Sequence, residues 1–158
     1  MLLLENLQQL CIEKGVSVAV AESCTAGLIA SKLTTLPGSS SYFKGGVVAY
    51  QNEIKTKVLG VSQSIIDEKT EVSAEVVKLM AQSVLGKFDA DFAIAISGYA
   101  GPTGGTNKNP IGTVFIAIAS VVGVVVSRFV FSGNRQSIVN QASESALNLL
   151  YTKIKKQQ

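Results

Sequence analysis

Histidine and tryptophan are both missing from this chain of 158 residues. Without histidine, no Ser–His–Asp or Cys–His arrangement can form within the chain, and no imidazole can hold a metal. Any general base near neutral pH must be Lys, Tyr, Asp, Glu, Cys or the terminal amine. Cysteine is limited to Cys11 and Cys24. That is too few for a disulfide framework or a zinc site, so both read as reduced thiols in a cytoplasmic protein. Arginine is limited to Arg128 and Arg135. The net charge is only +3, and the one dense basic group is Lys153, Lys155 and Lys156. Cations of that kind suit the end of a helix. Basic residues interleaved with aromatics are absent, so nucleic acid is not expected as a partner.

Long hydrophobic runs are scarce as well. The opening MLLLENLQQL carries Glu5 early and has no basic start, which does not fit a signal peptide. Residues 111–126 are interrupted by Gly112, Thr113, Ser120 and Gly123. They read as two β-branched strands rather than a membrane span, so no membrane partner is expected.

What remains is an apolar, lightly charged composition: 47% hydrophobic and 16% charged residues. Such a chain builds a packed core rather than a disordered tail. Its length and the lack of any linker predict a single domain over residues 1–158. Leu3, Leu7, Leu10 and Cys11 fall at helical spacing, and Gly15 closes that helix. VSVAV (16–20) reads as a buried strand and residues 24–35 as a second helix stopped by Pro37-Gly38. Residues 39–50 turn from loop to strand, with Gly45-Gly46 at a bulge or close approach, and residues 52–60 form a short helix ended by Gly60. A helix over 71–88 begins at Ser73. DFAIAIS (91–97) is a buried strand, a glycine-rich loop spans 98–110, a hairpin covers 111–131, and a final helix runs from Asn134 to Lys156. This alternation predicts a three-layer α/β/α sandwich with a mixed, mostly parallel sheet and an antiparallel edge hairpin.

Three stretches can carry chemistry. AESCTAG (21–27) puts Ser23 and Thr25 on a strand-to-helix turn, where a hydroxyl serves as an N-cap or as a nucleophile. Backbone N–H groups just after Ser23, at Thr25 and Ala26, would face developing negative charge. Cys24 is a rival nucleophile whose other reading is a small buried apolar residue. In YQNEIK (50–55), Tyr50 ends a strand and Lys55 lies near a helix start. With no histidine present, a desolvated lysine is the natural base for a serine, and Tyr50 could relay or orient the proton; otherwise Lys55 is a surface lysine. SGYAGPTGGT (97–106) follows a buried strand, where open α/β sheets bind ligands. Gly101, Gly104 and Gly105 would let backbone N–H groups cradle an anion. Arg135 at a helix start is poorly placed for the helix dipole, which favours a role toward a ligand phosphate.

Taken together, AESCTAG, PGSSSYFKGGVVAYQNEIKTKVLGV (37–61), SGYAGPTGGTNKNPIGTV (97–114) and FSGNRQSI (131–138) resemble the C-terminal domain of the CinA (competence/damage-inducible) proteins. The resemblance runs from about Val16 to Ala146. It implies an α/β/α homodimer that hydrolyses the carboxamide of nicotinamide mononucleotide to nicotinate mononucleotide and ammonia, with no metal or other cofactor. The family's serine nucleophile falls on Ser23, its tyrosine on Tyr50 and its lysine on Lys55. Thr25 matches the threonine two after the nucleophile, Ser97 replaces a threonine ahead of the glycine loop, and Arg135 matches the helix-start arginine. The family pattern S-C-T-G-G has Ala26 here in place of a glycine, and Val139 stands where a second arginine is usual. A silent nucleotide-binding module and a hydrolase for another small amide or nucleotide are the alternatives on the same scaffold.

Overall fold

The computed structural model describes residues 1–157. Helix α1 (Leu2–Lys14) ends at Gly15, whose φ of 63° is the left-handed closure that glycine adopts without a Cβ penalty. Strand β1 (Val18–Glu22), helix α2 (Leu28–Leu33) and a 3-10 turn (Ser39–Ser41) lead to strand β2 (Phe43–Val48). Helices α3 (Asn52–Lys57), α4 (Gln63–Lys69) and α5 (Ala74–Lys87) follow. Strands β3 (Phe92–Gly98), β4 (Thr113–Ser120) and β5 (Gly123–Val130) then precede helix α6 (Arg135–Lys156).

The five strands form one sheet in the order β2-β1-β3-β4-β5. β1 runs parallel to both β2 and β3, while β4 is antiparallel to β3 and to β5. The expected mixed sheet with an antiparallel edge hairpin is therefore present. Its layering follows from an alternation of side-chain size. Along β1, β3 and β4, one face carries Ala19, Ala21, Ala93, Ala95, Ala117 and Ala119, and Val76, Val77, Met80, Ala81 and Val84 of α5 pack into the space those small side chains leave. The other face carries Val18, Val20, Ile94, Ile96, Ile116 and Ile118 against α1, α2 and α6. Large residues on one face and alanines on the other let helices cover both sides at different depths. Central strands β1 and β4 are buried along their whole length, whereas edge strands β2 and β5 alternate.

The glycine pair in β2 is both a register slip and a close approach. The β1–β2 ladder skips a residue between Val18 and Ala19, and a Cβ on Gly46 would lie 2.4 Å from the Val20 carbonyl oxygen. Helix α4 was not expected; Ser62 caps it by accepting from the Ile65 N–H. The second helix is shorter than expected. Ala26 and Gly27 have φ of 47° and 96°, so the chain turns through left-handed conformations before α2 begins at Leu28. Among the described residues, no helix is long and apolar enough to cross a membrane.

Candidate active site

The parallel strands β2, β1 and β3 all end at one edge of the sheet, and the chain on either side of the β4–β5 hairpin returns there as well. Ser23 is the first residue beyond β1. Its N–H donates to the Ile96 carbonyl at 3.0 Å, and next to it the Ala49 N–H donates to the Glu22 carbonyl at 2.8 Å. The backbone of Ser23 is thus held from both neighbouring strands.

Lys55, on α3, is 1% exposed and is among the largest fully buried side chains. Its Nζ lies 3.0 Å from Ser23 Oγ, 2.9 Å from the Ala49 carbonyl and 3.2 Å from the Tyr50 carbonyl. A neutral amine has two N–H groups and one lone pair. The two carbonyls can only accept, so they take the two N–H groups and the lone pair is left for the serine hydroxyl. Burial pulls the Lys55 pKa below its usual 10.5, with Glu71 pulling the other way. Shedding a proton from an ordinary lysine at pH 7 costs about 5 kcal/mol. Burial offsets part of that cost, because holding a charge out of water is itself unfavourable, and so favours the neutral amine.

Glu22 was not singled out in the sequence, and it explains the turn. It is fully buried, and its Oε1 accepts from the Thr25 hydroxyl at 2.6 Å and the Ile29 N–H at 2.9 Å. Its Oε2 accepts from the Ala30 N–H at 3.0 Å. The carboxylate, and not the hydroxyl of Ser23 or Thr25, therefore caps the Ile29 and Ala30 N–H groups, while the Thr25 carbonyl accepts from the Leu28 N–H; the hydroxyl of Ser23 is left free to meet Lys55. A carboxylate ending the otherwise apolar run VAVAE was the available signal.

The N–H groups divide differently from expectation. Ala26 N–H donates to the Ser23 carbonyl at 3.0 Å and is committed to the turn. Those of Cys24 and Thr25 donate to no other residue's oxygen among the described residues. The Cys24 thiol is 9% exposed and burial pushes its pKa up to about 12, so it is the small buried residue of the blander reading, not a thiolate.

A cavity of ≈ 380 Å³ opens over this pair, lined by Ser23, Lys55, Glu71, Ser97, Gly101 and Arg135 among others. That is a small-molecule size. Ser97 is buried and its Oγ donates to the Glu71 carbonyl at 2.8 Å, fastening the segment before α5 to the end of β3. Arg135 Nη1 donates to the Gly101 carbonyl at 2.7 Å and its Nη2 to Tyr50 Oη at 2.9 Å. The Tyr50 ring is half exposed, and its hydroxyl is paired with Arg135 rather than with Ser23 or Lys55. Gly101 has φ of 78°, and a Cβ there would lie 2.7 Å from Ile111 Cγ2. Gly104 and Gly105 shape the loop but do not line the cavity. Thr25, Ala26 and Val139 line a neighbouring recess of ≈ 530 Å³ that shares Cys24, Tyr50 and Arg135 with this cavity. Glu71, at the start of the segment 71–88, carries no motif in the sequence that marks it as a cavity residue.

The comparisons agree with this architecture. The sequence model of the CinA C-terminal domain matches residues 2–154. A CinA-like protein of Desulfotalea psychrophila is 45% identical over 142 residues, covering 90% of this chain and 34% of the relative. One from Flavobacterium psychrophilum is 45% identical over 150 residues, covering 95% of this chain and 36% of the relative. The chain thus spans about a third of the length of these curated relatives. The crystal structure of competence damage-inducible protein A from Klebsiella pneumoniae superposes with a TM-score of 0.95 at 33% identity, covering 99% of this chain and 97% of that one. A competence/damage-inducible protein of Agrobacterium tumefaciens gives 0.90 at 33% identity, covering 98% and 96%. With the model spanning nearly every residue and whole solved chains matching end to end, the protein belongs to the CinA C-terminal domain family.

Proposed function

We propose that this chain is a serine–lysine amidohydrolase acting on the carboxamide of nicotinamide mononucleotide. The observation that carries the reading is the buried Lys55 Nζ at 3.0 Å from Ser23 Oγ, with two carbonyls occupying its N–H groups. Ser23 Oγ attacks the carboxamide carbon while its proton passes to Lys55 Nζ. The carbonyl π electrons move to oxygen, and the N–H groups of Cys24 and Thr25 hold the resulting oxyanion. Collapse of this intermediate breaks the C–N bond as Lys55 returns the proton to the departing nitrogen, which leaves as ammonia. Water then attacks the acyl-Ser23 ester, giving a proton to Lys55, and the carboxylic acid is released as Ser23 recovers its proton. Arg135, an exposed cation on the cavity lining, binds the phosphate. The homodimer and the cytoplasmic location belong to the same proposal, supported by family membership.

The test is ammonia release from nicotinamide mononucleotide by the purified chain, with Ser23→Ala and Lys55→Ala in parallel and EDTA in one arm. Release that survives EDTA and falls by about 100-fold or more in each variant supports the mechanism. Full turnover by Ser23→Ala rejects it. No release by the folded wild-type protein, with retained binding of the mononucleotide, leaves a nucleotide-binding module on this scaffold.

A further inference from the structure

The charges around the cavity have an uneven arrangement. Arg135 lies on its lining and is held to Gly101 and Tyr50. Glu71 also lines it, on the segment that Ser97 fastens to β3. The Glu71 carboxylate has no hydrogen-bond or ion-pair partner among the described residues, and no ion pair joins it to Arg135. The one other basic side chain on the lining, Lys55, is held by Ser23 and two backbone carbonyls. Ser97, which holds the Glu71 backbone, directly follows Ile96, whose carbonyl accepts from the Ser23 N–H, so Glu71 enters the lining at the nucleophile's end. The lining therefore carries a carboxylate and an exposed guanidinium that form no ion pair with each other among the described residues.

A pyridine nucleotide has the complementary charge pattern. Its ring nitrogen is quaternary and the ring carries a full positive charge, while the phosphate is anionic. We infer that Glu71 is the counter-charge for a cationic ring, so that the site selects amides borne on N-substituted pyridinium rings over the same amide on a neutral ring. This inference rests on the amidohydrolase reading above and names what that site recognises. A carboxylate facing a cation in a partly dry cavity discriminates between charged and neutral ligands of one shape. It also repels the new carboxylate of the product, which helps it leave.

The experiment compares two ligands of nearly one shape: nicotinamide mononucleotide and its reduced dihydropyridine form, whose ring is neutral. Binding of both is measured by calorimetry in Ser23→Ala protein, which cannot turn them over, with and without Glu71→Gln. The parent is expected to bind the oxidised form at least ~10-fold more tightly. Glu71→Gln is expected to erase that preference by weakening the cationic ligand while leaving the neutral one within about 2-fold, and that unchanged binding reports an intact fold. A preference that survives Glu71→Gln overturns the inference and leaves the amidohydrolase reading standing, as does an equal loss for both ligands. Failure of the parent to bind either ligand rejects the amidohydrolase reading, and this inference with it.

Discussion

Lys55 Nζ and Ser23 Oγ meet at 3.0 Å although 32 residues of sequence separate them. The contact is made because β1 and β2 are neighbours that end at the same edge, so the residue after β1 and the first helix after β2 converge. A base of this kind is competent only when neutral. Burial lowers its pKa from 10.5, so kcat/KM should rise with pH through a midpoint clearly below that value and then flatten. The buried Cys24 thiol, held near 12, should add no limb in this range. A pH–rate profile in wild type and Cys24→Ser checks both points; a limb that disappears in Cys24→Ser would move the titration to the thiol.

The same depressed pKa carries a stability signature. Below the folded pKa both states are protonated, and the folded state bears the full cost of a buried charge. Between the folded pKa and 10.5, the unfolded chain holds a proton that the folded chain lacks, so stability rises with pH. Lys55→Met removes this dependence. The stability of wild type relative to Lys55→Met should therefore increase with pH across that window, by at most about 1.4 kcal/mol per pH unit. Urea unfolding of both proteins at several pH values measures it, and a flat difference would mean that Lys55 titrates as an ordinary surface lysine.

Much of this was legible in the sequence, and the misses have physical reasons. The absence of histidine pointed to a lysine base, and the buried runs VSVAV and DFAIAIS located the two strands that flank the nucleophile. Helix α2 was drawn four residues too early because CTAG has ordinary helix residues, while the left-handed φ at Ala26 and Gly27 is set by the Glu22 carboxylate and the Ser23 carbonyl. Side-chain partners across the fold are not written in local pattern. Tyr50 is near Lys55 in sequence and so reads as a group that could relay or orient its proton, yet its hydroxyl is drawn to Arg135, 85 residues away.

That pairing separates binding from chemistry. Tyr50→Phe deletes the hydroxyl that accepts from Arg135 and keeps the backbone carbonyl that accepts from Lys55. KM for the mononucleotide should rise a few-fold while kcat stays within about 3-fold. Arg135→Met removes the cation itself and should raise KM by ~10-fold or more. Steady-state kinetics of both variants test this. Loss of kcat in Tyr50→Phe at unchanged KM would return Tyr50 to the proton path.

Glu22 has a positioning role that a neutral isostere cannot fill. Both oxygens of the carboxylate accept, from one hydroxyl and two N–H groups. In Glu22→Gln, one oxygen becomes an NH2 that must face a donor. The expected cost is about 1–3 kcal/mol of stability, since a buried donor is left without an acceptor. Because the turn holding Ser23 is fixed by these bonds, kcat of the folded variant should fall more than KM changes. Denaturant unfolding and kinetics together decide: a destabilised variant with normal kcat would make Glu22 a helix cap alone.

Ala26 is where this chain has alanine at a position that its resemblance to the family fills with glycine. Its φ of 47° is left-handed, a conformation that costs a residue with a Cβ roughly 1–2 kcal/mol. Glycine removes that cost but gives up about 0.5–1 kcal/mol of conformational entropy to the unfolded chain. The first term is the larger, so Ala26→Gly should stabilise the protein by up to about 1 kcal/mol, read as a higher urea midpoint at unchanged slope. Activity should stay within about 2-fold, because the Ala26 N–H is spent on the Ser23 carbonyl and that bond survives the change. A large gain in kcat would instead mean that this N–H leaves the turn to serve the oxyanion, with alanine holding it back.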